Sequence, residues 1–319
     1  MMQYFKNVIF ISPFQEHIKY LQRYVNVFYI FPRHLYLASW YLHRLPAKLK
    51  SLFPFIPDKL MIAQEYFFNP PHKINKKISK IEPSEVDAII MMDPTTCNYD
   101  FSKFKKAVKI YWSIDHVYKT SLFHDIFLEK LEEFDYTFVS HKEFLPFYSN
   151  VGTKAYWLPL YYDPTINMKI EKPKDIDISF VGNIYGRRGE YVKFLKNKFP
   201  NLNTFYGNSY GKDMNEIYNR SKIVLNFANV KELNFRVFEA LGSGAFVLNE
   251  YSKETLDIFE NNIDLATFSD LNDLSEKIQF YLEHEKERET IALSGHHKVE
   301  QSHTLDIRIK DLLEKIGLL

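Results

Sequence analysis

The residues best suited to chemistry in this 319-residue chain sit in two short glycine-bearing stretches. The first, Phe180-Val-Gly-Asn-Ile-Tyr-Gly-Arg-Arg-Gly189, leads from an apolar run into a helical one. A turn carrying Gly182, Gly186 and Gly189 between strand and helix leaves backbone N–H groups free. It also aims the positive helix end at one point, which suits an anion. Arg187 and Arg188 add permanent charge there, and a guanidinium grips phosphate oxygens through two parallel hydrogen bonds. The bland alternative is a solvated helix start with two surface arginines. The second stretch is Asn234-Phe-Arg-Val-Phe-Glu-Ala-Leu-Gly-Ser-Gly244. If Phe235 to Leu241 is helical, Arg236 and Glu239 share a face at i, i+3. A carboxylate there could accept hydrogen bonds from two neighbouring hydroxyls, or it could simply pair with Arg236.

Other candidates are sparser. Trp112-Ser-Ile-Asp115-His116 closes an apolar run, where a cleft-facing group would lie. Asp115 could take the proton of an incoming hydroxyl as a general base, or cap the next helix. His116 could act as base, or donate to charge developing on a leaving phosphate. Asp93, after VDAIIMM, is a weaker candidate of the same kind. The chain has one cysteine, Cys97, so an internal disulfide and a multi-cysteine zinc site are both excluded. No tight Asp-x-Asp pair follows a strand and no His/Glu cluster has metal spacing, so the expectation is charge neutralisation by Arg188 and Arg236 with no metal and no resident cofactor.

These residues need elements to hold them. Asn7–Ser12, Val86–Met92, Val108–Ile114 and Tyr136–Ser140 read as strands in the first half, with helical spacing over Gln15–Val27 and Leu122–Phe134. A proline-punctuated stretch from about 158 to 175 reads as a linker. Strands then resume at Asp177–Val181, Asn203–Tyr206, Ile223–Phe227, Ala245–Asn249 and Asp264–Phe268, separated by helices. Continuous apolar strands alternating with helices indicate parallel sheets covered on both faces. The expected architecture is therefore α/β, two doubly wound halves over 1–160 and 161–319, with both glycine turns at one edge of the second sheet, where open sheets of this class bind ligands.

Composition is globular, at 46% hydrophobic and 25% charged, which rules out disorder. A net charge of +1 argues against a nucleic-acid partner. The halves differ: residues 1–160 carry 20 Lys/Arg against 15 Asp/Glu, and 161–319 carry 21 against 25. Between His17 and Pro57 there is no acidic residue but six Lys/Arg, interleaved with Tyr36, Trp40, Tyr41, Phe53 and Phe55. Such a segment can seat in an anionic membrane surface, dock a polymeric acceptor, or form an aromatic core with a basic face. The apolar run near the N-terminus is too short for a signal peptide, and no stretch approaches the ~20 apolar residues of a spanning helix. A cytoplasmic location follows as an expectation, with the inner face of the membrane open through residues 17–57.

From about Asp177 to Leu313 the sequence resembles the nucleotide-sugar-binding domain of GT-B glycosyltransferases, in particular the group 1-like domain of the spore-maturation-protein (CgeB-like) branch. The pieces that carry the resemblance are ISFVGN, NFRVFEALGSGAFVL, DLNDLSEKIQFYLEHEKERETIA and HTLDIRIKDLL. The resemblance implies a GT-B fold, two Rossmann-like domains facing a central cleft, with the last helix crossing back to the N-terminal domain. It implies transfer of a sugar from a nucleotide-diphosphate donor to a glycan, lipid-linked or protein acceptor hydroxyl, retaining, hexosyl and cell-surface in kind. Related enzymes show Gly-Arg, four residues, then Lys-Gly; here Gly182-Asn183 and Arg188-Gly189 stand in those places. Arg188 thus matches the cation on the donor pyrophosphate, Asn183 replaces the other, and Arg236 could compensate. Of two glutamates eight positions apart, Glu239 matches the ribose-binding second and Lys231 replaces the first. Gly244 matches the glycine that lets backbone N–H groups near Ser243 approach phosphate. GT-B families often place a His or Asp where Asp115 and His116 stand. Two other classes share the layout: a sugar-nucleotide epimerase of the same fold, and a binding or scaffold protein that kept the pocket without the chemistry.

Overall fold

The computed structural model describes residues 6–12, 14–30, 71–92, 99–114, 130–228 and 232–319. The chain divides into two compact units, residues 1–159 with 309–319, and residues 160–308.

In the first unit, β1 (Asn7–Ile11), α1 (Glu16–Leu21), β2 (Asn26–Ile30), α2 (Pro71–Ile78), β3 (Ala88–Met92), β4 (Val108–Ser113), β5 (Tyr136–Val139), α3 (Leu145–Asn150) and β6 (Lys154–Trp157) follow in order. The strands form one parallel sheet in the order β2-β1-β3-β4-β5-β6. β3 is buried at every position, as a central strand covered on both faces must be. Ile9, Ile89, Met91, Tyr111, Phe134 and Tyr148 belong to its core. Two strands differ from the sequence reading. The helix expected over Gln15–Val27 stops at Leu21, and Asn26 to Ile30 pair with β1. β6 forms where the sequence reading has no strand, just before the expected linker. β2 and β6 are the outer strands of the described sheet, with partly exposed, mixed residues that lack the apolar signature of central strands.

The second unit contains β7 (Ile176–Val181), α4 (Arg187–Lys198), β8 (Thr204–Gly207), α5 (Gly211–Arg220), β9 (Ser221–Asn226), α6 (Phe235–Gly242), β10 (Val247–Glu250), α7 (Lys253–Leu256), β11 (Ala266–Phe268), α8 (Leu271–Glu283) and α9 (Glu285–Ser302). The last helix, α10 (Leu305–Lys315), begins in this unit and ends in the other. The sheet order is β11-β10-β9-β7-β8, again all parallel. β7 therefore has β8 on one side and β9 on the other, so the connections leave β7 and β9 in opposite directions. That divergence opens a crevice beyond their carboxyl ends. Residues 158–175 carry no helix or strand, yet Leu158 and Leu160 to Asp163 are buried, so this connection is packed and not a loose tether.

Candidate anion and nucleotide site of the second unit

The crevice is built by three local decisions. First, β7 ends in Gly182, whose φ is +152°, and whose absent Cβ would lie 2.5 Å from Arg236 Nη2. Only glycine accepts both that backbone angle and that approach. Second, α4 starts at Arg187, with Gly186 at its N-cap and no side-chain cap. Third, α6 starts at Phe235 after Asn234, which also caps nothing with its side chain. Two helix amino ends, both lacking a side-chain cap, thus open at the carboxyl edge of β7 and β9, each with a positive end.

α6 is fixed by its apolar side. Val237, Phe238, Ala240 and Leu241 are buried, and at Gly242 a Cβ would overlap the Tyr162 ring. Arg236 and Glu239 remain on the other face, both half-buried. The Arg236 Nε donates to the Val181 carbonyl and Nη1 to Asn226 Oδ1, each at 2.5 Å. Its guanidinium carbon lies 4.5 Å from the centroid of Phe180, whose ring stacks on Phe227 at 4.2 Å and 4°. Arg188 reaches the same ring, 6.0 Å from the centroid. Their separation cannot exceed the sum of those two distances. Among the described residues neither arginine has a carboxylate partner, and the buried Nε of Arg188 has no hydrogen-bond partner. Burial pushes the Arg236 pKa down to about 10; Tyr218 opposes the fall, the like charge of Arg188 adds to it by less, and Glu239 opposes it least. Two guanidiniums held together without counter-charge make a site that an anion would relieve.

Glu239 does not form an ion pair with Arg236. Although its surface is only partly covered, its carboxylate lies deep enough for burial to raise its pKa to about 7, against a lowering by Arg236. Nearby, the Tyr218 hydroxyl is fully buried and finds no partner among the described residues; burial and the Glu239 charge push its pKa up. Both amide atoms of Asn234 are likewise buried and unpartnered. A group with several hydroxyls would satisfy such a set.

Other expected residues stand elsewhere. Arg187 is spent on structure. Its two terminal nitrogens bracket the Glu250 carboxylate, and it also bonds the Ala228 carbonyl at 3.0 Å and the Tyr191 hydroxyl at 2.7 Å. The Glu250 side chain is only 4% exposed, and its hydrogen bond holds Arg187 above the ordinary guanidinium pKa. Asn183 turns outward to Asn208 at 2.6 Å. Phe235 packs edge-on against Tyr161. Ser243 and Gly244 lie at the far end of α6, where their N–H groups close onto the Glu239 and Leu241 carbonyls. The backbone donors expected there for phosphate are therefore consumed, and the anion-facing end of α6 is the Asn234 end. Asp93, Cys97, Asp115, His116, Lys231 and residues 31–57 lie outside the described residues.

Sequence reasoning missed Asn226 and Asn249, buried polar residues on adjacent strands, paired in register, with Asn226 Nδ2 donating to Asn249 Oδ1 at 2.5 Å. A signal was present: both strands carry the same tripeptide, Val224-Leu225-Asn226 and Val247-Leu248-Asn249. It missed Glu250 because nothing local marks a carboxylate whose partner is 63 residues away.

Among the described residues, no helix is long and apolar enough to cross a membrane, and no group of three or more His, Cys, Asp or Glu could hold a metal ion.

Comparison with known proteins fits this picture. The sequence matches none of the curated proteins. Three solved structures superpose over 98% of the chain. They are HepE from Anabaena in complex with UDP and glucose (10% identity, TM-score 0.62, 100% of its chain), sucrose-phosphate synthase from Thermosynechococcus elongatus (11%, 0.66, 99%) and a glycosyltransferase from Rickettsia africae (12%, 0.59, 98%). At such identities the likeness establishes the fold, and the fold is GT-B. Residues 169–314, which include every side chain of the crevice, match the protein family described as glycosyl transferase-like.

Proposed function

We propose that this chain is a glycosyltransferase of the GT-B type that holds a nucleotide-diphosphate sugar in its second unit and passes the sugar to an acceptor hydroxyl. The observation that carries this reading is the convergence of Arg188 and Arg236 on one Phe180 ring, with no carboxylate paired to either among the described residues, at the carboxyl edge of β7 and β9. Breaking the bond from the anomeric carbon to the diphosphate leaves negative charge on the departing oxygen. Two fixed guanidiniums and two helix amino ends stabilise that charge with little reorganisation. Glu239, once ionised, accepts from the two ribose hydroxyls. The neighbours support the donor class: structures of HepE are titled as complexes with UDP and glucose and with UDP-glucose. A TarM variant, of which this chain covers 55%, is titled as a complex with fondaparinux, α-GlcNAc-glycerol and UDP, which supports a glycan or glycan-bearing acceptor.

The finer reading is a metal-independent, retaining hexosyl transfer to a glycan, lipid-linked or protein acceptor at the cell surface. The residues quoted above support a likeness to the spore-maturation-protein branch. Asp115 and His116 are the proposed acceptor-side groups. A cytoplasmic enzyme would meet a lipid-linked acceptor through residues 17–57, and sedimentation with anionic but not neutral liposomes tests that contact.

The decisive experiment is a thermal-shift and calorimetric screen of nucleoside diphosphates and nucleotide sugars, followed by assay of nucleoside diphosphate release. A ligand present at 100 times its Kd adds about 2.7 kcal/mol of stability. The expected result is stabilisation by a nucleoside diphosphate that survives EDTA, and release of that diphosphate during turnover. Binding by no nucleotide would refute the assignment. Binding without release over a broad acceptor panel would leave a binding protein in its place. Interconversion of the sugar without release would make it an epimerase.

A further inference from the structure

The donors of Arg236 are divided by a chain of amides that starts at a backbone carbonyl. The Glu250 carbonyl can only accept, so Asn249 must turn its Nδ2 toward it, at 2.6 Å; the same nitrogen reaches Thr255 Oγ1 at 3.2 Å. Asn249 Oδ1 is then left facing Asn226, which gives its own Nδ2 at 2.5 Å. Asn226 Oδ1 therefore faces Arg236 and takes Nη1 at 2.5 Å. Both asparagines are 2% exposed and Thr255 is fully buried, so water does not compete for these bonds. With Nε on the Val181 carbonyl, the nitrogen left over is Nη2, beside Gly182 at the start of the crevice.

Among the described residues, every acceptor offered to Arg236 is neutral: one backbone carbonyl and one amide. An aspartate in place of Asn226 would make the same bond more strongly and has nearly the same shape. It would also cancel the charge. We infer that Asn226 is a positioning residue that sets the charge selectivity of the site. It holds Arg236 by a neutral acceptor and so reserves the full guanidinium charge for a ligand's diphosphate. This inference rests on the proposed nucleotide-diphosphate site and deepens it.

The test uses the full chain and two variants, N226D and Asn226→Leu, with calorimetric titration of a nucleoside diphosphate and of the matching nucleoside. The nucleotide is the one that binds wild type best in the screen above. A carboxylate within a few ångströms of the guanidinium and the phosphate is expected to weaken diphosphate binding about tenfold or more. Nucleoside affinity should stay within about twofold, while the melting temperature falls, because aspartate sets an acceptor oxygen where Asn226 Nδ2 donates to Asn249 Oδ1. Leucine removes the hydrogen bond but not the charge, so Asn226→Leu should bind diphosphate more tightly than N226D does. A residue that only holds Arg236 in place, with no bearing on its charge, gives the opposite order, because aspartate preserves the bond to Arg236 and leucine does not. Equal loss of nucleoside and diphosphate, or tighter binding by N226D than by Asn226→Leu, overturns the inference while wild-type binding leaves the site itself standing. If N226D does not fold, Asn226→Leu alone decides: a loss of diphosphate affinity with nucleoside affinity kept within about twofold supports the positioning role, and no loss, or an equal loss of both, refutes it. Failure of wild type to bind any nucleoside diphosphate removes both the site and this reading of it.

Discussion

Glu239 should cost this protein stability in exchange for ligand recognition, and the cost has a definite pH signature. Burial raises its carboxyl from 4.5 to about 7 in the folded chain, and each pKa unit corresponds to about 1.4 kcal/mol, so keeping it ionised in the native state costs on the order of 3 kcal/mol. The sign follows from proton linkage. Between about pH 4.5 and 7 the folded state holds the proton more tightly than the unfolded chain, so this group's contribution is most favourable below pH 4.5. It is lost as the pH rises to about 7, and is constant above. Glu239→Gln has no such titration. Chemical denaturation of both proteins from pH 5 to 8 should therefore show the variant gaining on wild type by about 3 kcal/mol over that interval, since all other groups titrate alike in the two. Nucleotide binding should move the other way. The glutamine cannot accept from two hydroxyls with a full charge, so affinity falls by about tenfold or more. Wild-type affinity itself should weaken as the pH drops through about 7. If the stability difference is flat across pH, or the variant is the less stable at pH 8, then Glu239 is not held in a desolvated crevice and its assignment to the ligand fails.

The two neighbouring arginines should separate cleanly. Arg187→Ala removes both guanidinium bonds to Glu250, whose side chain is 4% exposed, and should lower the unfolding free energy by about 3 kcal/mol. Arg188→Ala should leave stability within about 0.5 kcal/mol and reduce diphosphate affinity; both are read by denaturant titration and calorimetry. Gly182→Ala places a Cβ 2.5 Å from Arg236 Nη2 at a positive φ. It should displace the guanidinium, cost about 1 kcal/mol or more in strain, and reduce diphosphate binding far more than nucleoside binding. Gly242→Ala drives a methyl into the Tyr162 ring, away from the ligand; a fall in melting temperature from about 1–3 kcal/mol of overpacking is expected.

Much of this was legible in the chain. The apolar runs of β1, β3, β4, β7, β9 and β10 announce parallel strands because a strand buried on both faces has no polar side to show. The two glycine stretches mark turns because they interrupt a chain otherwise poor in glycine, and Arg236 with Glu239 falls on one helical face by spacing alone. Tertiary structure decided the rest. Nothing local distinguishes Arg187, which closes on Glu250, from Arg188 beside it, since their fates depend on a strand 63 residues away. Ser243 and Gly244 stand at the closing end of α6, because a helix has two ends about 12 Å apart and only packing decides which one opens on the crevice. The order β11-β10-β9-β7-β8 brings β7 next to β9, so that Phe180 carries both guanidiniums and Asn226 can hold one of them. Sequence supplied the charges and turns through local rules; long-range strand order set their distances, and distance determines which charges are cancelled and which remain for a ligand.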